Sequence, residues 1–260
     1  MTFSHLDHPT RPAALVTGGA VRLGRAIALD LAAAGYDIAL HYGHSAAAAN
    51  ETAEAIRALG RSCHPVQQDL TVAEALPTLV ARAREALPGL AVLINSASAY
   101  QQAAIATTTV ALFDQQLAVN LRAPFFLTQA FAQQVGQGQV INIIDNKIAF
   151  NQFQYAAYLL AKQALADFTR MAAVEFAPGL RVNGVAPGVV LPAVTRSAEY
   201  IAWRVAGIPV RRQGQVEDVT QAVRYLLAAT FVTGQILTID GGEALTNIGQ
   251  NAAQFDPQKV

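Results

Sequence analysis

The chain has 260 residues, 53% of them hydrophobic and only 14% charged, which is enough apolar side chain to bury a large core and too much for a disordered segment. Eighteen basic and eighteen acidic residues cancel, which leaves no bulk charge to select nucleic acid or an anionic membrane as a partner. The single cysteine, Cys63, excludes an intrachain disulfide; Met1 to Pro9 lacks the features of a secretion signal, and no apolar run reaches the roughly 18–20 residues of a bilayer span, so a cytoplasmic protein is expected.

From about residue 13 to residue 240, short aliphatic or β-branched runs alternate with Ala-rich helical stretches, with Gly, Pro or Asn at most changes of period. Strands are expected at residues 13–17, 38–42, 62–66, 90–95, 140–144, 181–186 and 235–239. Several are apolar throughout, as strands covered on both faces are, and the intervals between them are helix-sized. The expectation is a single α/β domain over residues 1–260, a doubly wound Rossmann fold with seven parallel strands and helices on both faces. Ligands of such sheets bind outside the carboxyl ends of the strands.

The first strand runs into Thr17-Gly18-Gly19-Ala20-Val21-Arg22-Leu23-Gly24 and then into a helical stretch, residues 25–34, that stops at Gly35. Glycines let the backbone approach a pyrophosphate, and a helix N-terminus offers it unpaired amides. The spacing is not GxGxxG, and a plain strand-to-helix connection uses the same residues. The second strand ends in His41-Tyr42-Gly43-His44-Ser45, where a carboxylate would accept from a free ribose 2′-hydroxyl. None is present. Arg22, His44 and Ser45 are instead suited to donate to a 2′-phosphate, so NADPH is expected over NADH. Alternatively, His44 and Ser45 merely begin the next helix, Ser45 as its N-cap.

The fifth strand ends at Asp145; Tyr158 follows thirteen residues later and Lys162 four after that, on one face of the helical run 155–177. With only three lysines in the chain, a chance Tyr-x-x-x-Lys pairing is rare. An ammonium beside the phenol is expected to lower its pKa from about 10 toward working pH, making Tyr158 a proton donor or acceptor. Asp145 is costly at the end of an apolar strand unless solvated, paired or working, and it is also placed to cap a helix. Asn95, ending the fourth strand, and Asn120, in the stretch 110–128, are further polar candidates, each able simply to satisfy backbone groups.

In this combination the chain resembles the short-chain dehydrogenase/reductase family from Ala13 to Gly242. Thr17-Gly18 through Gly24 is similar to its cofactor turn, Asp69-Leu70 to its adenine-contacting pair, and Asn95-Ser96-Ala97-Ser98 to its Asn-Asn-Ala-Gly segment. Asn120 matches the active-site Asn, Tyr158 and Lys162 the catalytic pair, Pro187-Gly188 the segment after the sixth strand, and Asp240-Gly241-Gly242 the close of the last strand. The departures are Arg22 for a turn glycine, Ser96 for the second Asn, and Asp145 for the Ser that holds a substrate carbonyl. A carboxylate there suits a heterocycle with N–H donors. The same departures resemble the pteridine reductases of that family.

That resemblance implies that Gly18, Arg22, Leu23, Gly24, His41, Tyr42, His44, Ser45, Asp69, Leu70, Asn95, Ser96, Ala97, Pro187 and Gly188 line an NADPH site that Tyr158 and Lys162 complete. It implies Arg22, Ser98, Tyr100, Asp145 and Tyr158 at a dihydropterin or dihydrofolate, with Tyr100 at an aromatic stacking position and Asn120 in the proton relay. It further implies hydride transfer to a ring C=N, protonation through Tyr158, Asp145 or a water they hold, and a homotetramer. The alternatives are an NADPH-dependent ketone or aldehyde reductase in which Asp145 is structural, and a nucleotide sensor without turnover, against which Tyr158, Lys162 and Asn120 argue. Little similarity extends over residues 189–203, and the tail after Gly242 carries no functional signal.

Overall fold

The structure, a computed structural model, describes residues 11–192, 196–246 and 256. The N-terminal stretch Met1 to Pro9, residues 193–195 of the 189–203 stretch and most of the tail lie outside the described residues.

Seven strands, β1 (Ala13–Val16), β2 (Asp37–Tyr42), β3 (Cys63–Gln67), β4 (Leu90–Asn95), β5 (Gly138–Ile143), β6 (Leu180–Pro187) and β7 (Ile236–Ile239), form one sheet in the order β3-β2-β1-β4-β5-β6-β7. Every pairing is parallel. The order reverses between β1 and β4, which opens a crevice at the carboxyl ends of these two strands.

The strands are apolar on both faces because both are covered. Along β1, Ala14 and Val16 point into one layer and Ala13 and Leu15 into the other. The first layer is closed by α1 (Arg22–Ala33), α2 (Ala46–Ala58) and α8 (Val216–Ala228), which contribute Ile27, Leu31, Ile56 and Leu226. The second is closed by α3 (Leu76–Ala86), α5 (Ala123–Gln134) and α6 (Ala156–Glu175), with Leu79, Leu127, Phe131 and Ala172. Each fully buried Leu, Ile or Phe contributes about 1.5–3 kcal/mol. Among the described residues, no helix is long and apolar enough to cross a membrane.

Strand ends shift from expectation by a residue or two, and two helical differences bear on the site. Helix α1 begins at Arg22 rather than at residue 25, so the glycine turn feeds directly into its first amides. The stretch 110–128 is not one uniform helix: α4 (Val110–Leu117) and α5 are joined by a π-helical turn, Ala118–Arg122, that carries Asn120. Single π turns inside helices frequently mark functional sites.

Candidate active site

A cleft of about 680 Å³ runs along the carboxyl ends of the strands. Its first half is a backbone cradle. Gly18 has φ +64°, and a side chain on it would meet Ala97 Cα at 2.9 Å; a Cβ on Gly24 would lie 2.2 Å from the Gly18 carbonyl oxygen. No side chain caps α1 at Val21, so the first amides of the helix, at Arg22, Leu23 and Gly24, are left to the cleft that these residues line. Arg22 itself holds φ +53°, a left-handed conformation that non-glycine residues adopt at a cost of about 1–3 kcal/mol. Its guanidinium donates to the Leu191 carbonyl, tying the turn to the segment after β6.

Thr17 fixes the opposite wall. Its hydroxyl donates to the Ile94 carbonyl and accepts from the amides of Ser96 and Ala97 at 3.0 and 3.1 Å, joining the ends of β1 and β4. His44, Ser45, Asp69 and Leu70 lie farther along the cleft, and Pro187 and Gly188 close it from β6. Ser45 occupies the N-cap position of α2 yet makes no capping hydrogen bond, so its hydroxyl is not spent on the helix. The Thr71 amide and hydroxyl both donate to Asp69 and hold its carboxyl below the usual carboxylate range.

The packing holds four of the expected contact residues in or beneath the wall of the cleft, His41 at its lining and the others behind it. His41 is buried with both ring nitrogens used: Nδ1 accepts from the Gly18 amide at 3.1 Å and Nε2 donates to the Gln68 carbonyl at 2.9 Å. Burial lowers its pKa, and the ring acts as a neutral brace between the turn and the end of β3. Tyr42 packs against the core and does not line the cleft. Asn95 is buried beneath the floor, donating to Asn142 Oδ1 at 2.8 Å, and Asn142 donates to Thr169 Oγ1 at 2.9 Å, a polar ladder from β4 through β5 to α6. Asn120 is fully buried and reaches the cleft only through Ser98, whose hydroxyl donates to its Oδ1 at 2.8 Å; its amide is taken by Ala99 and Gln116.

The second half of the cleft carries the titratable groups. Asp145 does both things open to it: Oδ1 accepts the Lys147 amide at 2.9 Å, capping the short turn Asn146–Ala149, and Oδ2 accepts the Tyr158 hydroxyl at 2.7 Å. Lys162, 2% exposed, donates to the Ile143 carbonyl at 2.8 Å and stands 5.8 Å from the centre of the Tyr158 ring. The expected depression of the phenol pKa is overturned. Burial and the Asp145 carboxylate push Tyr158 well above its ordinary value, and burial lowers Lys162 to about 8. Tyr158 is therefore a neutral phenol that donates to Asp145 Oδ2.

Tyr100 stacks on Tyr155 at 4.6 Å with its edge to Tyr158 at 4.8 Å. Lys147, Arg196, Tyr200 and Arg204 also line this end, and sequence reasoning did not single them out as site residues. Lys147 had a signal, two residues beyond Asp145 at a strand's carboxyl end; Arg196 and Arg204, in an irregular segment and a late helix, had none.

A family model described as enoyl-(acyl carrier protein) reductase matches residues 19–243, spanning the cradle, Asp145, Tyr158 and Lys162. The chain belongs to the short-chain dehydrogenase/reductase family. It is 34% identical over 245 residues to an uncharacterized oxidoreductase of Mycobacterium tuberculosis, covering 90% of this chain and 93% of the relative. It is also 34% identical to pteridine reductase 1 of Leishmania tarentolae, over 92% of this chain and 98% of the other. Among solved structures, FolM alternative dihydrofolate reductase 1 from Brucella suis, in complex with NADP, superposes with a TM-score of 0.86 at 32% identity, covering 95% of this chain and 98% of that one. As a member of this family, the chain is an oxidoreductase, and the sheet and cleft described above are the family's architecture.

Proposed function

We propose that the chain is a single-domain, cytoplasmic, NADPH-dependent pteridine reductase that converts a dihydropterin or dihydrofolate to the tetrahydro form. The observation that carries this reading is the Asp145–Tyr158 contact at 2.7 Å on the floor of the cleft. A carboxylate is acceptor-only when ionised, so at this position it suits the N–H donors of a nitrogen heterocycle and repels a carbonyl oxygen. The similarity to pteridine reductase 1 and to the NADP-bound Brucella protein supports the same reading.

The cradle fits a dinucleotide, since Gly18 and Gly24 leave backbone where any side chain would collide, and the uncapped start of α1 offers amides to a pyrophosphate. His44 and Ser45 are the residues to hold a 2′-phosphate, and Lys162 the one to hold the nicotinamide ribose. When bound, the reduced nicotinamide supplies a hydride. The residues of the chain handle the rest. Asp145 orients the heterocycle by accepting its N–H groups, and Tyr158, kept neutral by burial and by Asp145, carries the proton that balances hydride addition at the adjacent ring nitrogen. Ser98, held by Asn120, lies beside the Tyr158 hydroxyl. Leu160, Met171 and Val174 stand exposed along α6, and this apolar stripe is the surface by which we expect copies of the chain to assemble, as a homotetramer.

The test is NADPH oxidation with 7,8-dihydrobiopterin, dihydromonapterin and dihydrofolate beside a ketone panel, in the wild type and Asp145→Ala. Dihydropteridine turnover that Asp145→Ala abolishes, with NADPH binding retained, is the expected result. Unchanged turnover in the variant, or turnover confined to ketones, overturns the reading.

A further inference from the structure

Five cationic side chains line the cleft, and three of them are committed. Arg22 donates to the Leu191 carbonyl, Lys162 to the Ile143 carbonyl, and Arg204 is buried against Glu243 in an ion pair. Lys147 and Arg196 remain. Neither is paired with a carboxylate among the described residues, whose ion pairs all lie elsewhere. Lys147 sits two residues from Asp145, yet Asp145 takes only its backbone amide; the ammonium turns away and donates to the Tyr100 hydroxyl at 3.0 Å, 5.5 and 5.3 Å from the Tyr100 and Tyr155 ring centres. Arg196 approaches the same platform from the segment before α7 (Ala198–Ala206). It donates to the Tyr155 hydroxyl at 3.2 Å and lies over the Tyr200 ring at 4.6 Å.

Two cations therefore meet on one tyrosine, Tyr155, at the end of the cleft beyond Asp145 and Tyr158. Both are half-buried. Both rest on aromatic faces and hydroxyls, contacts that orient a cation without neutralising it. No acid of the cleft forms an ion pair with either cation: Asp69 is in the cradle half, held by Thr71, and Asp145 accepts the Lys147 amide and the Tyr158 hydroxyl, not the ammonium. An ammonium and a guanidinium fork converging without an ion-pair partner are suited to a carboxylate or a phosphate.

We propose that Lys147 and Arg196, on the Tyr100–Tyr155 stack, form a subsite for an anionic side chain on the pteridine, either the carboxylates of a glutamyl tail or a phosphate ester. The subsite rests on the pteridine-reductase reading and determines which pteridine is preferred. Neutral hydroxyalkyl side chains gain nothing from it. Its contribution falls with ionic strength, because the pair is partly open to solvent.

The test compares kcat/KM for 7,8-dihydrobiopterin, which has a neutral side chain, dihydrofolate and dihydroneopterin triphosphate, in the wild type, Lys147→Gln, Arg196→Gln and the double variant Lys147→Glu/Arg196→Glu. The expected result is a wild-type preference for one of the two anionic substrates, which says whether carboxylate or phosphate is the ligand. Each Gln substitution should lower the ratio of the anionic to the neutral substrate on the order of tenfold, and charge reversal should invert it. Ratios unchanged by all three variants overturn the subsite while leaving the reductase reading intact. No turnover of any pteridine by the wild type removes both.

Discussion

Lys162 is the residue whose environment conflicts most with its intrinsic chemistry. Burial lowers its pKa from the usual 10.5 to about 8, so the folded protein holds the charged form at a cost. Below pH 8 that cost is fully present, because the unfolded chain also carries the proton; as pH rises toward 10.5 the folded protein sheds the proton first and the cost disappears. Lys162→Met should therefore raise stability by up to about 3 kcal/mol at pH 7, with the gain shrinking above pH 8, as denaturant titrations at several pH values will read. The same variant should lose its hold on the nicotinamide ribose. In the wild type, kcat/KM for NADPH should fall above about pH 8 as Lys162 loses its charge, ahead of any effect of Tyr158, whose pKa is shifted the other way. A profile flat to pH 10 would contradict this. Residues of this kind are selected for chemistry at the expense of stability.

At the scale of elements, the β1–α1 turn shows how far local spacing reaches. Its glycines are legible because a cradle needs backbone where a side chain would collide, and Gly24→Ala tests it directly: a Cβ 2.2 Å from the Gly18 carbonyl has to move the turn. The expected cost is about 1–3 kcal/mol in thermal denaturation, with NADPH affinity lost in fluorescence titration. Tyr158 and Lys162 are legible from helical periodicity, and Asp145 from its place at a strand's end. His41 is expected at the cofactor from the family resemblance, but its partners in the structure, Gly18 and Gln68, are 23 and 27 residues away, and no local pattern encodes such partners. The burial of Asn95 and Asn120 is not legible for the same reason, as position along the chain places a polar side chain near the cleft without saying which side of the wall it faces. The phenol pKa was misjudged because the sequence places Lys162 beside Tyr158 but says nothing of the burial that outweighs it.

For the molecule as a whole, the high hydrophobic content becomes concrete on α6. One face of this helix carries Tyr158 and Lys162 into the cleft, while Leu160, Met171 and Val174 stand exposed on another; Phe168, nearby, packs on Phe125 of α5 at 4.7 Å. Exposed apolar stripes of this extent mark contact surfaces. Sedimentation velocity at micromolar concentration should find the wild type as an oligomer and Met171→Glu/Val174→Glu as smaller species; a wild-type monomer would remove the expectation. The helix that presents the catalytic pair would then also form the subunit contact.

The reversal of strand order at β1 and β4 divides the cleft by ancestry as well as by chemistry. Most residues that line the cradle end of the cleft come from positions 18–71, and most that line the Asp145–Tyr158 end come from positions 98–204. A lineage that duplicates such a gene can rewrite the later segment for a new substrate while inheriting its source of reducing power unaltered. Of the chain's three departures from the family's pattern, Asp145 falls where that freedom is greatest, whereas Arg22 and Ser96 fall before it.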